Sequence, residues 1–357
     1  TANPIGSGPF VWNRVEVSGN SPETREERVG LTPFQDYHNG APKLKGFVLR
    51  SFHDQANMIR SFEAGELDGM VGLDSTPDNI YKQSSTNEYN VPIAGEIAVF
   101  LKTTSPVFQD VKVRQAIVQS VNRPEIIKNL GYPVAVADAP LLRGQPGYDK
   151  TLSQLPFDVA AAKNLLDQSG WVATDKEGIR VKEGKQLKFA LTAQSSAEYI
   201  KVTKLLQQQW RSVGVIAEVQ LQSGVDLQGV VSRHDYDALL YGVSIGPDPD
   251  VFAYWHSSLA SPSAATRLNF SEYKSIQADK ALEAGRSRND NVLRAIKYRP
   301  FLEAWRTDAP AVVLYQPRFL YITKGKVHGF DIRTISEASD RFSDVNNWMI
   351  AKGRLPM

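Results

Sequence analysis

A two-lobed α/β protein is predicted for this chain by three observations: its size, an ordinary globular composition, and alternating strand and helix patterns. The 357 residues exceed the roughly 250–300 at which a single hydrophobic core stops growing, so two lobes are expected. Hydrophobic residues make up 42% and charged residues 22%, a balance that supports a packed core and excludes a largely disordered chain. Lys and Arg are spread along the sequence and the formal net charge is +2. A nucleic-acid footprint is therefore not expected. The absence of cysteine removes disulfides, thiolate metal sites and cysteine nucleophiles together. No apolar run reaches the about eighteen residues of a membrane span, and Thr1 opens neither a charged nor an apolar leader segment.

The elements follow in order. Pro4–Pro9 is breaker-rich, and Phe10, Val11, Trp12 and Val15 then suit a strand. Residues 45–52 read as a second strand, Asp54 opens a helix that buries Met58, Ile59 and Phe62, Gly65 ends it, and 67–71 reads as a short strand. Together they predict a strand–helix–strand unit over 45–72. An apolar run over 93–102 precedes Asp110, a cap for a helix with Val113, Ala116, Ile117 and Val121 on one face. Asn122 and Pro124 start the next helix, which Gly131 ends. The Pro- and Gly-bearing stretch 132–156 reads as an irregular connection. Asp158 caps a helix ended by Gly170, and 187–191 alternates as a strand. Ser196–Val213 carries the clearest helical period, with Gly214 closing it; strands over 215–221 and 236–241 follow. Helices near 271–285 and 291–307 lead into a strand pair over 311–322 broken by Pro317. No fixed-period repeat is present.

Several of these segments resemble one family, the family-5 extracellular solute-binding proteins of bacterial ABC importers, which include dipeptide, oligopeptide and nickel binders. Ile5-Gly6-Ser7-Gly8-Pro9-Phe10 resembles its IGTGPF turn, and Phe62–Asp68 its L-x-x-GE-[IV]-D segment. The most specific block is Phe108–Ala116, similar to F-x-D-V-x-VRQA and followed by Asn122-Arg123 and Ile126-Ile127. Asp158–Leu166 is similar to D-x-x-x-AK-x-LL, Trp210–Val215 to W-x-x-[VI]-G-[VI], and Asp248-Pro249-Asp250 to the DPD turn. The resemblance implies a type II periplasmic-binding-protein-like fold whose two lobes close on a ligand about a hinge near 92–97 and 309–317. Lobe I would comprise 1–95 and a return over 316–357, and lobe II 96–315. Family members carry a long region before the IGTGPF turn, so lobe I is expected to be incomplete here, with signal and lipid anchor lying upstream.

The chemistry legible in the residues is that of a binder. His38, His53, His234, His256 and His328 show no i,i+4 pair and no metal spacing, so surface or capping roles and no metal site are expected. No G-x-S-x-G elbow, Walker loop or H-E-x-x-H is present, and no catalytic residue or cofactor is assigned. Aromatic and apolar side chains line most small-ligand pockets. The ligand-binding candidates carried over by the resemblance are Asp74, Phe100, Tyr241, Gly242, Ser244, Ile245, Trp255 and Tyr315. Asp248 and Asp250 are expected to serve the turn itself, because short carboxylates in such turns bond nearby backbone N–H groups. Relatives that bind free-amine peptides carry an acid where this chain has Ile245 and often a tryptophan where it has Gly242. An aliphatic side chain cannot neutralise a buried ammonium. The expected solutes are therefore N-blocked or cyclic peptides, sugars or other uncharged groups, unless Asp74 or Glu96 supplies the countercharge. The function implied is capture of a peptide or peptide-like solute for a membrane ABC permease by a monomer, periplasmic or anchored at the cell surface as a lipoprotein. Two alternatives are a binder of sugars or metal chelates on the same fold and a carboxylate-dependent hydrolase using Glu96 and Asp248.

Overall fold

The computed structural model describes residues 6–350 except 22–23, 74, 82–84, 262, 265 and 331–334. Its residues group into two compact units, 1–92 with 318–357, and 93–317.

Besides the short pair Val327–His328 with Met349–Ile350, the first unit holds two small antiparallel sheets among the described residues. Phe10–Ser18, Glu26–Pro33 and Phe47–Ser51 form one in sequence order. In the other, Arg318–Lys324 lies between Gly69–Val71 and Thr86–Pro92. Asp54 caps the helix Gln55–Glu63, accepting from the Asn57 amide at 2.7 Å. Phe62 and Met70 pack with Ile80, Leu320 and Ile322 into a small core. The strand–helix–strand expectation for 45–72 is corrected here, because its two strands lie in different sheets. Each strand finds an antiparallel partner from elsewhere in the chain, which a nine-residue helix with few buried side chains cannot outweigh.

The second unit is a six-stranded sheet with helices on both faces. Its order across the sheet is Ile216–Gln222, Lys188–Gln194, Ala238–Ser244, Gly95–Leu101, Ala311–Gln316 and Ala135–Val136. The first three are parallel to one another, and the rest pair antiparallel. Two crossover helices explain the parallel half: Ala197–Arg211 follows Lys188–Gln194, and Gly224–Arg233 follows Ile216–Gln222. Ser196 caps the first of these through the Tyr199 amide, and Trp210 anchors it by donating its indole N–H to the Ile117 carbonyl at 3.1 Å.

Alternation along Gly95–Leu101 divides the core. Ile97, Val99 and Leu101 face helices Val111–Gln119, Arg123–Leu130, Val159–Gln168 and Ala197–Arg211. Ala98 and Phe100 face the opposite layer, which includes Phe252–Trp255, Ile276–Arg286 and Asn291–Asp308. Asp110 and Asp158 cap their helices as their positions predict, and Gly131 and Gly214 take the left-handed conformation after the helices Arg123–Leu130 and Ala197–Arg211 that were expected to end there.

Candidate functional site

The strand Ala238–Ser244 brings the sequence-predicted residues together, because its backbone ends beside the DPD turn and the short helix Phe252–Trp255. A cavity of about 260 Å³ opens there, walled by Tyr241, Gly242, Ser244, Tyr254, Arg267 and Phe270 among others. Its aromatic side is fixed from beneath. Phe270 is buried and meets the Tyr241 ring at 5.4 Å and the Phe100 ring at 5.2 Å, both edge-to-face. Phe100 in turn contacts Trp255 at 5.7 Å, and Trp255 meets Trp305 edge-on at 5.7 Å. The Tyr254 hydroxyl donates to the Ser244 carbonyl at 2.6 Å, tying the wall to the strand end.

The predicted residues separate into two groups. Tyr241, Gly242 and Ser244 line the cavity. Phe100, Trp255 and Tyr315 are buried packing residues, which differs from the ligand-facing position expected of them. Phe100 and Trp255 support the cavity through the ring stack, while Tyr315 lies in the other core layer and donates its hydroxyl to Glu198. Ile245 is also buried; its N–H donates to the Ala94 carbonyl at 2.8 Å and its side chain packs with Val243 and Val251 in the core. A side chain at position 242 would start 2.9 Å from Ile97 Cδ1 and 3.3 Å from the Tyr199 hydroxyl, so an added Cβ would require the end of the Ile97 side chain to shift. Asp74 lies outside the described residues.

The acids of the DPD turn are held by arginines. Asp248 receives a two-pronged bond from Arg294, one prong at 3.1 Å, which holds its carboxyl below the usual range. Asp250 pairs with Arg286 at 3.0 Å and accepts from the Phe252 amide at 3.2 Å, while Arg286 lies 4.2 Å over the Phe252 ring. Among the histidines, His256 caps a turn through the Ser258 amide. His234 ends its helix in the left-handed conformation but departs from a surface position: its ring is fully buried between Glu272 at 3.2 Å and the Arg267 carbonyl at 2.9 Å. Burial lowers its pKa, opposed by these bonds. Among the described residues, no group of three His, Asp or Glu side chains is placed to hold a metal ion.

Sequence reasoning named Glu96 but did not place it. Its carboxyl sits opposite Val243 in the ladder, on the face that carries Ala98 and Phe100, and is 1% exposed. Neither oxygen hydrogen-bonds to a described protein group. Burial first, and then the neighbouring Asp138, push its pKa up to about 8. The apolar run that carries Glu96 was visible in sequence, but the lack of a partner for its carboxyl was not.

The comparisons with known proteins agree with this architecture. A family model described as bacterial extracellular solute-binding proteins, family 5 middle, matches residues 1–264. The oligopeptide-binding protein AppA of Bacillus subtilis is 24% identical over 364 residues, covering 98% of this chain and 62% of that protein. Protein XP55 of Streptomyces lividans is 26% identical over 91% of this chain and 58% of its own length. The chain thus spans about three fifths of the length of these curated relatives. Among solved structures, Bacillus subtilis AppA in complex with a nonapeptide aligns with a TM-score of 0.75 and 22% identity over 98% of this chain and 67% of that one. NikZ of Campylobacter jejuni with Ni(L-His) aligns at 0.79 and 22% identity over 97% and 69%. These likenesses establish a type II periplasmic-binding-protein fold, and with the match over 264 residues the chain belongs to the bacterial extracellular solute-binding proteins, family 5.

Proposed function

We propose that the protein captures a peptide or peptide-like solute outside the cytoplasm and delivers it to an ABC permease in the membrane. Family membership over residues 1–264 carries this reading. The aromatic-walled cavity at Tyr241 and Tyr254 is of the kind that holds small organic ligands, mostly apolar with a few placed polar groups. The two lobes of the proposal are 1–95 with 316–357, and 96–315. We assign Tyr241, Gly242 and Ser244 to ligand contact, Phe100 and Trp255 to the support of Tyr241, and Asp248 and Asp250 to the turn. We take it to act as a monomer and without catalysis; Asp248, one of the two acids the hydrolase reading uses, is held by Arg294. We assign it to the periplasm or, as a lipoprotein, to the cell surface, on the strength of its family.

The test is incubation of the full-length protein with mixed peptide and glycoside libraries, followed by mass spectrometry of bound and free fractions. Saturable retention of peptides at unchanged mass is expected. Cleavage products accumulating with turnover would favour the hydrolase reading, and retention of glycosides alone would move the solute class to sugars. Non-peptide solutes are kept in view because the solved structures this chain resembles include complexes with Ni(L-His) and agropinic acid as well as peptides.

A further inference from the structure

We infer that Glu96, with Asp138 beside it, is the receiving group for an ammonium of the solute, and that this cation binds in exchange for a proton. The inference rests on the solute-binding reading and adds the chemistry of one end of the ligand.

Four observations lead to it. First, both Glu96 oxygens are buried and unpartnered, an arrangement that costs free energy in a resting protein and is relieved by an incoming donor. Second, the charged neighbour that acts on Glu96 is another acid, Asp138, whose own partner is Arg143, so among the described residues Glu96 itself has no cation bound to it. Third, Asp138 is engaged by the Tyr148 hydroxyl at 3.0 Å and by Arg143, whose side chain is 54% exposed, so the pair of acids borders solvent through one movable arginine. Fourth, the Tyr254 phenol of the cavity wall has its pKa raised by burial and then by Glu96, which sets the acid close behind that wall.

The groups facing the site are therefore Asp138, Tyr254 and, around Asp138, Arg143, Tyr148 and the half-buried Arg123. Before binding, Glu96 is a neutral acid at pH 7. An arriving ammonium donates its N–H groups to the carboxyl, the acid proton leaves to solvent, and the product is a carboxylate–ammonium pair. Charge and protons balance: one cation enters and one proton departs. With a resting pKa of about 8, roughly 0.9 proton is released per cation bound at pH 7, and affinity rises about ninefold from pH 6 to pH 7.

The experiment uses the full-length protein and one mixed tri- to pentapeptide library in three forms: unmodified, α-acetylated with free lysine side chains, and acetylated at every amine. Capture by the unmutated protein is compared with capture by Glu96→Gln, and proton release is measured calorimetrically in two buffers of different ionisation enthalpy. Glutamine copies the neutral acid, so Glu96→Gln keeps the fold, checked by its melting temperature at pH 7. The expected result is at least tenfold weaker capture of the fully acetylated library, proton release with amine-bearing peptides only, and loss of both effects in Glu96→Gln. The first two library forms distinguish an α-ammonium from a lysine ammonium. Equal capture of all three forms by both proteins would leave solute binding standing and overturn the Glu96 site. Capture of no peptide in any form would overturn the solute-binding reading and the site with it.

Discussion

Burial keeps Glu96 protonated up to about pH 8, whereas the unfolded chain ionises it near the ordinary 4.5. Between these values the unfolded state gives up a proton that the folded state retains. Stability from this residue is therefore full below pH 4.5, falls as pH rises through the window, and levels above 8. The difference amounts to roughly 4–5 kcal/mol at most, since the protein relaxes around a charge. Glu96→Gln is expected to match the unmutated protein in urea denaturation at pH 4.5 and to exceed it by about 2–4 kcal/mol at pH 8.5. Equal stability at both values would show that Glu96 is solvated. At this scale the turn acids were legible, because Asp248-Pro249-Asp250 is a local sequence signal that demands nearby donors. The arginines that answer them, Arg286 and Arg294, stand on distant helices and left no trace in the local pattern. Phe100, Ile245 and Trp255 were read as ligand-facing by their place in the chain, but burial is decided by the layer packed over them.

Gly95 shows how an element depends on one missing side chain. An added Cβ there would stand 2.5 Å from the Val243 carbonyl oxygen, backbone that cannot swing aside without parting the ladder. Gly95→Ala is expected to cost about 1–3 kcal/mol, the usual scale of overpacking, read as a lowered denaturation midpoint. An unchanged midpoint would mean that the two strands yield without penalty. Helices carrying both a cap and a period, such as Val111–Gln119, Val159–Gln168 and Ala197–Arg211, were legible in the sequence for that reason. The helix Gly224–Arg233 was not foreseen. It opens on glycine, carries another at Gly229, and buries fully only Leu227, so its sequence signal is weak. The strands Phe47–Ser51 and Gly69–Val71 were foreseen, but their partners were not, since antiparallel pairing across long separations is a tertiary choice.

For the whole molecule, the α/β class followed from alternating periods, and the first crossover, from Lys188–Gln194 through Ala197–Arg211 to Ile216–Gln222, followed from a strong helix set between two strand patterns. The family match over residues 1–264 and the aromatic rings that wall the cavity at the end of Ala238–Ser244 are the two supports of the proposed peptide capture. Isothermal titration calorimetry on the full-length protein, with the peptide it retains best from a library, tests that account most directly. One-site binding at micromolar affinity or tighter is expected, with the peptide recovered intact and at least a tenfold loss in Tyr241→Ala at an unchanged melting temperature, as for a truncated aromatic contact worth about 1.4 kcal/mol or more. An absence of saturable heat with every peptide tested, or steady cleavage of the bound peptide, would contradict it.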